Sequence, residues 1–259
     1  MTEFDRSTPV TVSLRVQRGI AEVVAEDRAT VRVEISPPEA AERFTVALEG
    51  DTLVVHGPEG IGSAWRTPRA DVRVRVPADS ILAVKSAAAD LRLLGRYALA
   101  QITGSSADVH LDHVTGDASV KSASGDLTVR HVGGTLRIST SSGEIGVGDV
   151  TGDVIADTSS GDLTVQRAGG SLQASTASGD LEIGALSQGQ ASLKSSSGDI
   201  TVGVTPGTGV WLDLETSSGK TLSDLTMGTP APADGPALAL KVRTASGDID
   251  IHRALVAVA

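Results

Sequence analysis

A chain of 259 residues has room for one or two domains. Aromatic residues make up only 2% of it, so its core must be built from Val, Leu, Ile and Ala rather than from large rings. The lack of cysteine excludes disulfides and thiolate metal sites. The net charge of −10 disfavours nucleic acid and anionic membrane surfaces, which are bound through Lys and Arg.

The first residues show no basic stretch leading into an apolar one, and no apolar run approaches the roughly 18 residues that span a bilayer. These features predict a soluble cytoplasmic protein with no membrane insertion. Residues 1–85 then show strand alternation without a repeat. Residues 10–16 place Val10, Val12, Leu14 and Val16 on one face. Residues 31–35, 44–48, 53–55 and 72–76 alternate in the same way, separated by Arg18-Gly19, Pro37-Pro38 and Gly50-Asp51. Short strands and tight turns predict an N-terminal antiparallel β-sheet that caps the C-terminal part of the chain. Residues 57–68 form a longer connection holding Trp65.

Residues 86–259 carry a repeat. Gly125-Asp126, Gly143-Glu144, Gly161-Asp162 and Gly179-Asp180 recur every 18 residues. Gly198-Asp199 comes after 19, Gly219-Lys220 after 21 and Gly247-Asp248 after 28. Upstream, Ala107-Asp108 and Ala89-Asp90 keep the same beat. A period this short means stacked coils. Leu127/Val129, Ile145/Val147, Leu163/Val165, Leu181/Ile183 and Ile200/Val202 align as inward columns. A second strand lies about nine residues later, with Leu136/Ile138, Val154/Ala156 and Leu172/Ala174. The predicted fold is all-β: a β-solenoid of about 18-residue coils behind the N-terminal cap. Residues 226–237, rich in Pro and Gly, read as a flexible loop. Trp211 and residues 254–259 are candidates to close the C-terminal end.

The Gly-Asp pairs are read as structural turns, with Gly supplying positive φ and the carboxylate bonding backbone amides. The column Ala123, Ser141, Ser159, Ala177, Ser196, Ser217 and Ala245 is always small, which suggests an inward bend. It is flanked by hydroxyls, among them Thr158/Ser160, Thr176/Ser178 and Thr244/Ser246. A metal site has one candidate set, His113, His131 and Asp149, spaced 18 apart so that they would stack on an outer corner. The column goes on as Arg167, Ala185 and Gly203, which favours solvated side chains and no metal. Calcium rolls need alternating glycines that are absent from these corners.

Ser-Gly-Asp-Leu-Thr-Val coils behind the Val-Arg-Val-Arg-Val-Pro segment (residues 72–77) resemble the bacterial β-strand-repeat proteins labelled "putative adhesin", a family of unknown function. The segment Gly-Val-Trp-Leu-Asp-Leu-Glu-Thr (residues 209–216) is similar to the actinobacterial branch. The resemblance covers nearly the whole chain and implies the solenoid fold. It supplies no catalytic residues. Nucleophile elbows, Walker loops and complete dinucleotide fingerprints are also missing from the sequence, so neither an enzyme nor a cofactor is expected. The sequence points to a non-enzymatic scaffold or binding module offering a rigid acidic surface to an unknown protein or surface polymer. The expected state is a monomer or small homo-oligomer. A filament-forming solenoid of cytoskeletal type is the second reading, and a polysaccharide-active β-helix enzyme the third.

Overall fold

The computed structural model describes residues 1–58, 69–225 and 237–254. Residues 57–58 apart, the Trp65 connection lies outside this range, as do nearly all of the loop 226–237 and the last five residues. The chain forms two compact units, Met1–Arg130 and His131–Ala259. Among the described residues each is built from β-strands, with one four-residue helical turn at Pro38–Ala41 in the first.

In the first unit the central element is the 16-residue strand Thr11–Glu26, which buries every second residue across most of its length. It pairs in parallel with the strand Ser80–Gly104 on one edge. On the other edge it pairs in parallel with Thr52–His56 and Ala70–Pro77. This corrects the antiparallel expectation for the middle of the N-terminal region. Alternation of apolar and polar residues reports which face is buried but is blind to strand direction. The antiparallel pairs lie further out: Thr45–Glu49 on Thr52–His56, Thr30–Ser36 on Ala70–Pro77, and Thr2–Asp5 on Thr30–Ser36. The outermost strand is only four residues long and carries Glu3 and Asp5, features that discourage pairing with another chain. Residue 85 falls inside Ser80–Gly104, whose later part already pairs with Val109–Val114 and Ala118–Lys121 at an offset near 18, as in Ala100↔Ala118.

A bulge interrupts Ser80–Gly104 between Leu93 and Arg96. Gly95 turns there with φ 91°, and a Cβ on it would lie 2.0 Å from the Ala25 carbonyl oxygen. Tyr97, the one tyrosine of the chain, is fully buried beside this bulge. Its hydroxyl donates to the Val23 carbonyl at 2.7 Å and lies 3.0 Å from that of Leu94. Burial pushes the phenol far above its ordinary pKa, so it stays a donor at all working pH values. Tyr97→Phe keeps the ring and strands a buried carbonyl. Chemical unfolding should show a loss of about 1–2 kcal/mol.

In the second unit two parallel stacks face one another. One runs Leu136–Ser139, Val154–Asp157, Leu172–Ser178 and Gly189–Ser197. The other runs Ile145–Val150, Leu163–Ala168, Leu181–Leu186 and Ile200–Val204. Register pairs such as Ile145↔Leu163↔Leu181 are 18 apart, so equivalent residues sit directly over one another. All three are about 1% exposed. Each coil therefore buries its aliphatic face mainly against its two neighbours.

The stacking order then departs from chain order. Gly189–Ser197 pairs next with Ala237–Ser246, and only beyond that comes Gly209–Ser218. Likewise Ile200–Val204 pairs with Ile249–Arg253, which in turn pairs with Thr221–Ser223. Coil 237–253, last in the sequence, is thus inserted inside coil 209–223. The side chains explain the order. Leu240, Val242, Ile249 and Ile251 are aliphatic and almost fully buried, which requires neighbours on both sides. The positions matching Ile249 and Ile251 in coil 209–223 are Thr221 and Ser223, whose hydroxyls suit an end that meets water.

Candidate functional site

The repeated corner is the feature that organises the surface. At Gly179 the backbone adopts φ 139°, and a Cβ would lie 2.2 Å from the Gly161 carbonyl oxygen. Only glycine allows both the turn and this close approach of consecutive coils. Aspartates at several of these corners then stitch the coils together. Asp162 Oδ1 accepts from the Asp180 N–H at 2.9 Å, and Asp180 Oδ1 from the Asp199 N–H at 2.8 Å. Asp199 Oδ1 accepts from the Asp248 N–H at 2.7 Å, and Asp248 Oδ1 from the Lys220 N–H at 2.7 Å. In the first unit, Asp108 Oδ1 accepts from the Asp126 N–H at 3.0 Å. The carboxylates form a ladder whose rungs are backbone amides, and the ladder tracks the spatial order of coils rather than the chain order.

Asp180→Asn keeps the acceptor and removes one charge from a column of like charges. Its thermal midpoint should equal or exceed that of the parent, whereas Asp180→Ala, which leaves the Asp199 amide to water, should melt lower.

The small column requires a correction. Ser141, Ser159, Ala177, Ser196, Ser217 and Ala245 face solvent, as does Ala123. The inward slot belongs to the preceding residue: Thr158, Thr176, Ser195 and Thr244 are all buried. Their hydroxyls satisfy turn carbonyls. Thr176 donates to Ser178 O at 3.1 Å, and Thr244 to Gly198 O at 3.2 Å. Half of the apparent hydroxyl surface is therefore interior turn chemistry. The outer surface keeps the acid column, the small column and the last serine of most corners, such as Ser160 and Ser178.

The histidine column divides between the units. His113 belongs to the first, in register with Arg96. That arginine donates twice to Asp79, through Nε and Nη2, each at 2.7 Å. The two hydrogen bonds hold the Asp79 carboxyl below its ordinary value. His131 and Asp149 belong to the second unit, and Asp149 pairs with Arg167 at 3.3 Å. Among the described residues no three His, Cys, Asp or Glu side chains are grouped to hold a metal ion. No described helix is long and apolar enough to cross a membrane.

Trp211 also departs from expectation. It projects from the outer face of Gly209–Ser218 and is 63% exposed, so it does not plug the core. It lines a groove together with Gln190, Val210, Leu238 and Ala239. Alternation decides this: Val210, Leu212 and Leu214 share register with the inward Leu238, Leu240 and Val242, which turns Trp211 outward.

Residues 134–257, close to half of the chain, match the Toastrack DUF4097 family, a β-solenoid family without an assigned activity. Among solved structures, a "putative adhesin" from Bacteroides fragilis is 10% identical, with 96% of this chain and 95% of that one covered and a TM-score of 0.44. A "putative adhesin" from Parabacteroides distasonis is 13% identical, with 96% of each chain covered and a TM-score of 0.45. A "putative lipid binding protein" from the same species is 13% identical, with 96% and 95% covered and a TM-score of 0.44. No curated protein matches the chain.

Proposed function

We propose that this protein is a non-enzymatic scaffold or binding module that presents a rigid, acidic β-solenoid surface to a macromolecular partner, either a protein or a surface polymer. The observation that carries this reading is the interlocked corner. Glycine stacking and the carboxylate ladder fix the outer faces of successive coils at a spacing of about 4.8 Å. Acidic side chains on such a lattice keep their positions without the entropic cost of ordering them on binding. Outward acids such as Glu182 stand beside this lattice. In this reading the protein works in the cytoplasm, binds no nucleic acid and does not insert into membranes.

Crosslinking of the full chain in native cells, with identification of the captured species, tests the reading. A specific partner should be captured, and capture should weaken when Glu182 is replaced by Lys. Equal capture by parent and variant, nucleic acid as the captured species, or recovery of the protein at the cell surface would each contradict the corresponding part. A filament-forming solenoid is the second reading, and a mass that grows without limit as concentration rises would favour it.

A further inference from the structure

Coil 209–223 differs from every coil beneath it in the second unit. Among the described residues, Gly209–Ser218 and Thr221–Ser223 each pair along one edge only. Their outer edges present backbone N–H and C=O groups, a template for another strand. The inward residues Leu212 and Leu214 are only half-buried, while their register partners Leu240 and Val242 are fully buried. Trp211 and Leu222, 63% and 58% exposed, are the exposed large apolar side chains among the described residues of this unit.

The corner of this coil limits what can be added to it. Lys220 stands in the aspartate slot of the ladder. It receives the cap from Asp248 through its own N–H but carries no carboxylate to pass on. A further coil running in the same direction would find its first corner amide without a cap and opposite a cation. Head-to-tail growth is therefore disfavoured at this edge.

An antiparallel neighbour meets different chemistry. Lys220, Leu222 and Asp224 alternate along the edge and, by strand alternation, share the outward face with Asp250, the register partner of Leu222. A two-fold axis through Leu222 sets Lys220 of one copy opposite Asp224 of the other, twice, with Leu222 against Leu222. Opposed side chains in such a pair lie about 4.5–5.5 Å apart, close enough for both ion pairs. Asp224 uses Oδ1 to accept from the Arg253 N–H at 3.0 Å, so its other oxygen can receive the ammonium. We propose that the edge of coil 209–223 is a self-complementary interface on which a second copy of this chain pairs antiparallel, closing a two-fold dimer through reciprocal Lys220–Asp224 pairs. The contact uses the same surface on both copies, so it ends at two and does not propagate.

Light scattering on the full chain, from dilute to concentrated, reads this directly. The mass should rise from 26.3 kDa toward twice that value and stop. Leu222→Glu, which sets two carboxylates face to face at an exposed position, should weaken association by at least ~10-fold without lowering the thermal midpoint of the dilute protein. Lys220→Glu should weaken it likewise, and adding Asp224→Lys in the same chain should restore the dimer, because the exchanged charges still face each other. If the doubly exchanged protein fails to fold, the Leu222→Glu result decides alone. A chain that stays monomeric at every concentration overturns the proposal. So does a dimer insensitive to Leu222→Glu, a folded double exchange that does not re-associate, or a mass that grows without limit.

Discussion

Replacing Leu163 by Asp should unfold the second unit or lower its thermal midpoint by more than ~10 °C, the largest effect expected from one side chain. Leu163 is 1% exposed and stacked between Ile145 and Leu181, both equally buried. Two costs add. Loss of the leucine packing alone corresponds to roughly 2–5 kcal/mol, the range found for truncation to Ala. The carboxylate must then either ionise among aliphatic side chains or hold its proton at neutral pH, which costs several kcal/mol more. Native stability as a whole is only about 5–15 kcal/mol. In a stacked fold the damage also reaches both neighbouring coils, since each depends on the others for burial. The control is Gln166→Asp three residues on, at an exposed position of the same strand, which should change stability by less than ~0.5 kcal/mol. If Leu163→Asp and Gln166→Asp melt alike, the inward assignment of these columns is wrong.

The same columns show what the sequence disclosed and why. A parallel stack with a constant offset places residue n over residue n + 18, so burial, glycine and carboxylate columns all appear as simple recurrence. The strand Leu163–Ala168 and its neighbours were legible for that reason. The alternation at residues 10–16 marks the start of the strand Thr11–Glu26, but its pairing is hidden, because its partner in the coil stack, Ser80–Gly104, lies some seventy residues away with no repeat between them, as in Thr11↔Ile81. The insertion of coil 237–253 under coil 209–223 is hidden for a related reason: chain order is the default when only spacing is read. Its signal was present in composition, since Lys220, Thr221 and Ser223 replace the Asp, Leu and Val of the repeat. The hydroxyl and small columns were exchanged because both residue types fit a bend. Only the turn carbonyls accepting from Thr176 and Thr244 decide which points inward. Tyr97 gave no signal, as a single buried ring beside a bulge belongs to no column.

Gly161→Val should be almost as damaging as Leu163→Asp, although it buries no charge. Two separate demands meet at this position. With φ at 134°, a β-branched residue is strained by roughly 1–3 kcal/mol whatever surrounds it. A Cβ built there would also lie 2.1 Å from the Gly143 carbonyl oxygen and 3.0 Å from its carbon. Those atoms are backbone of the adjacent coil and cannot swing aside as a side chain would. Relief requires this coil to part from the one holding Gly143, which loosens the bond from Ser160 N to Ser141 O at 2.9 Å. Losing that bond adds about 1 kcal/mol. Gly50 is the reference for a positive-φ glycine without a close neighbour. Its φ of 59° is also positive, but nothing lies within 4 Å of a Cβ placed there. Gly50→Ala should therefore cost only about 1 kcal/mol, since its φ lies in the left-handed helical well that L-residues visit, and Gly161→Ala clearly more, the excess combining its less accessible φ with the stacking contact. Denaturant unfolding of both alanine variants beside Gly161→Val settles the point. If Gly50→Ala and Gly161→Ala lose the same stability, the close approach between coils contributes nothing, and the glycine column exists for its turn alone.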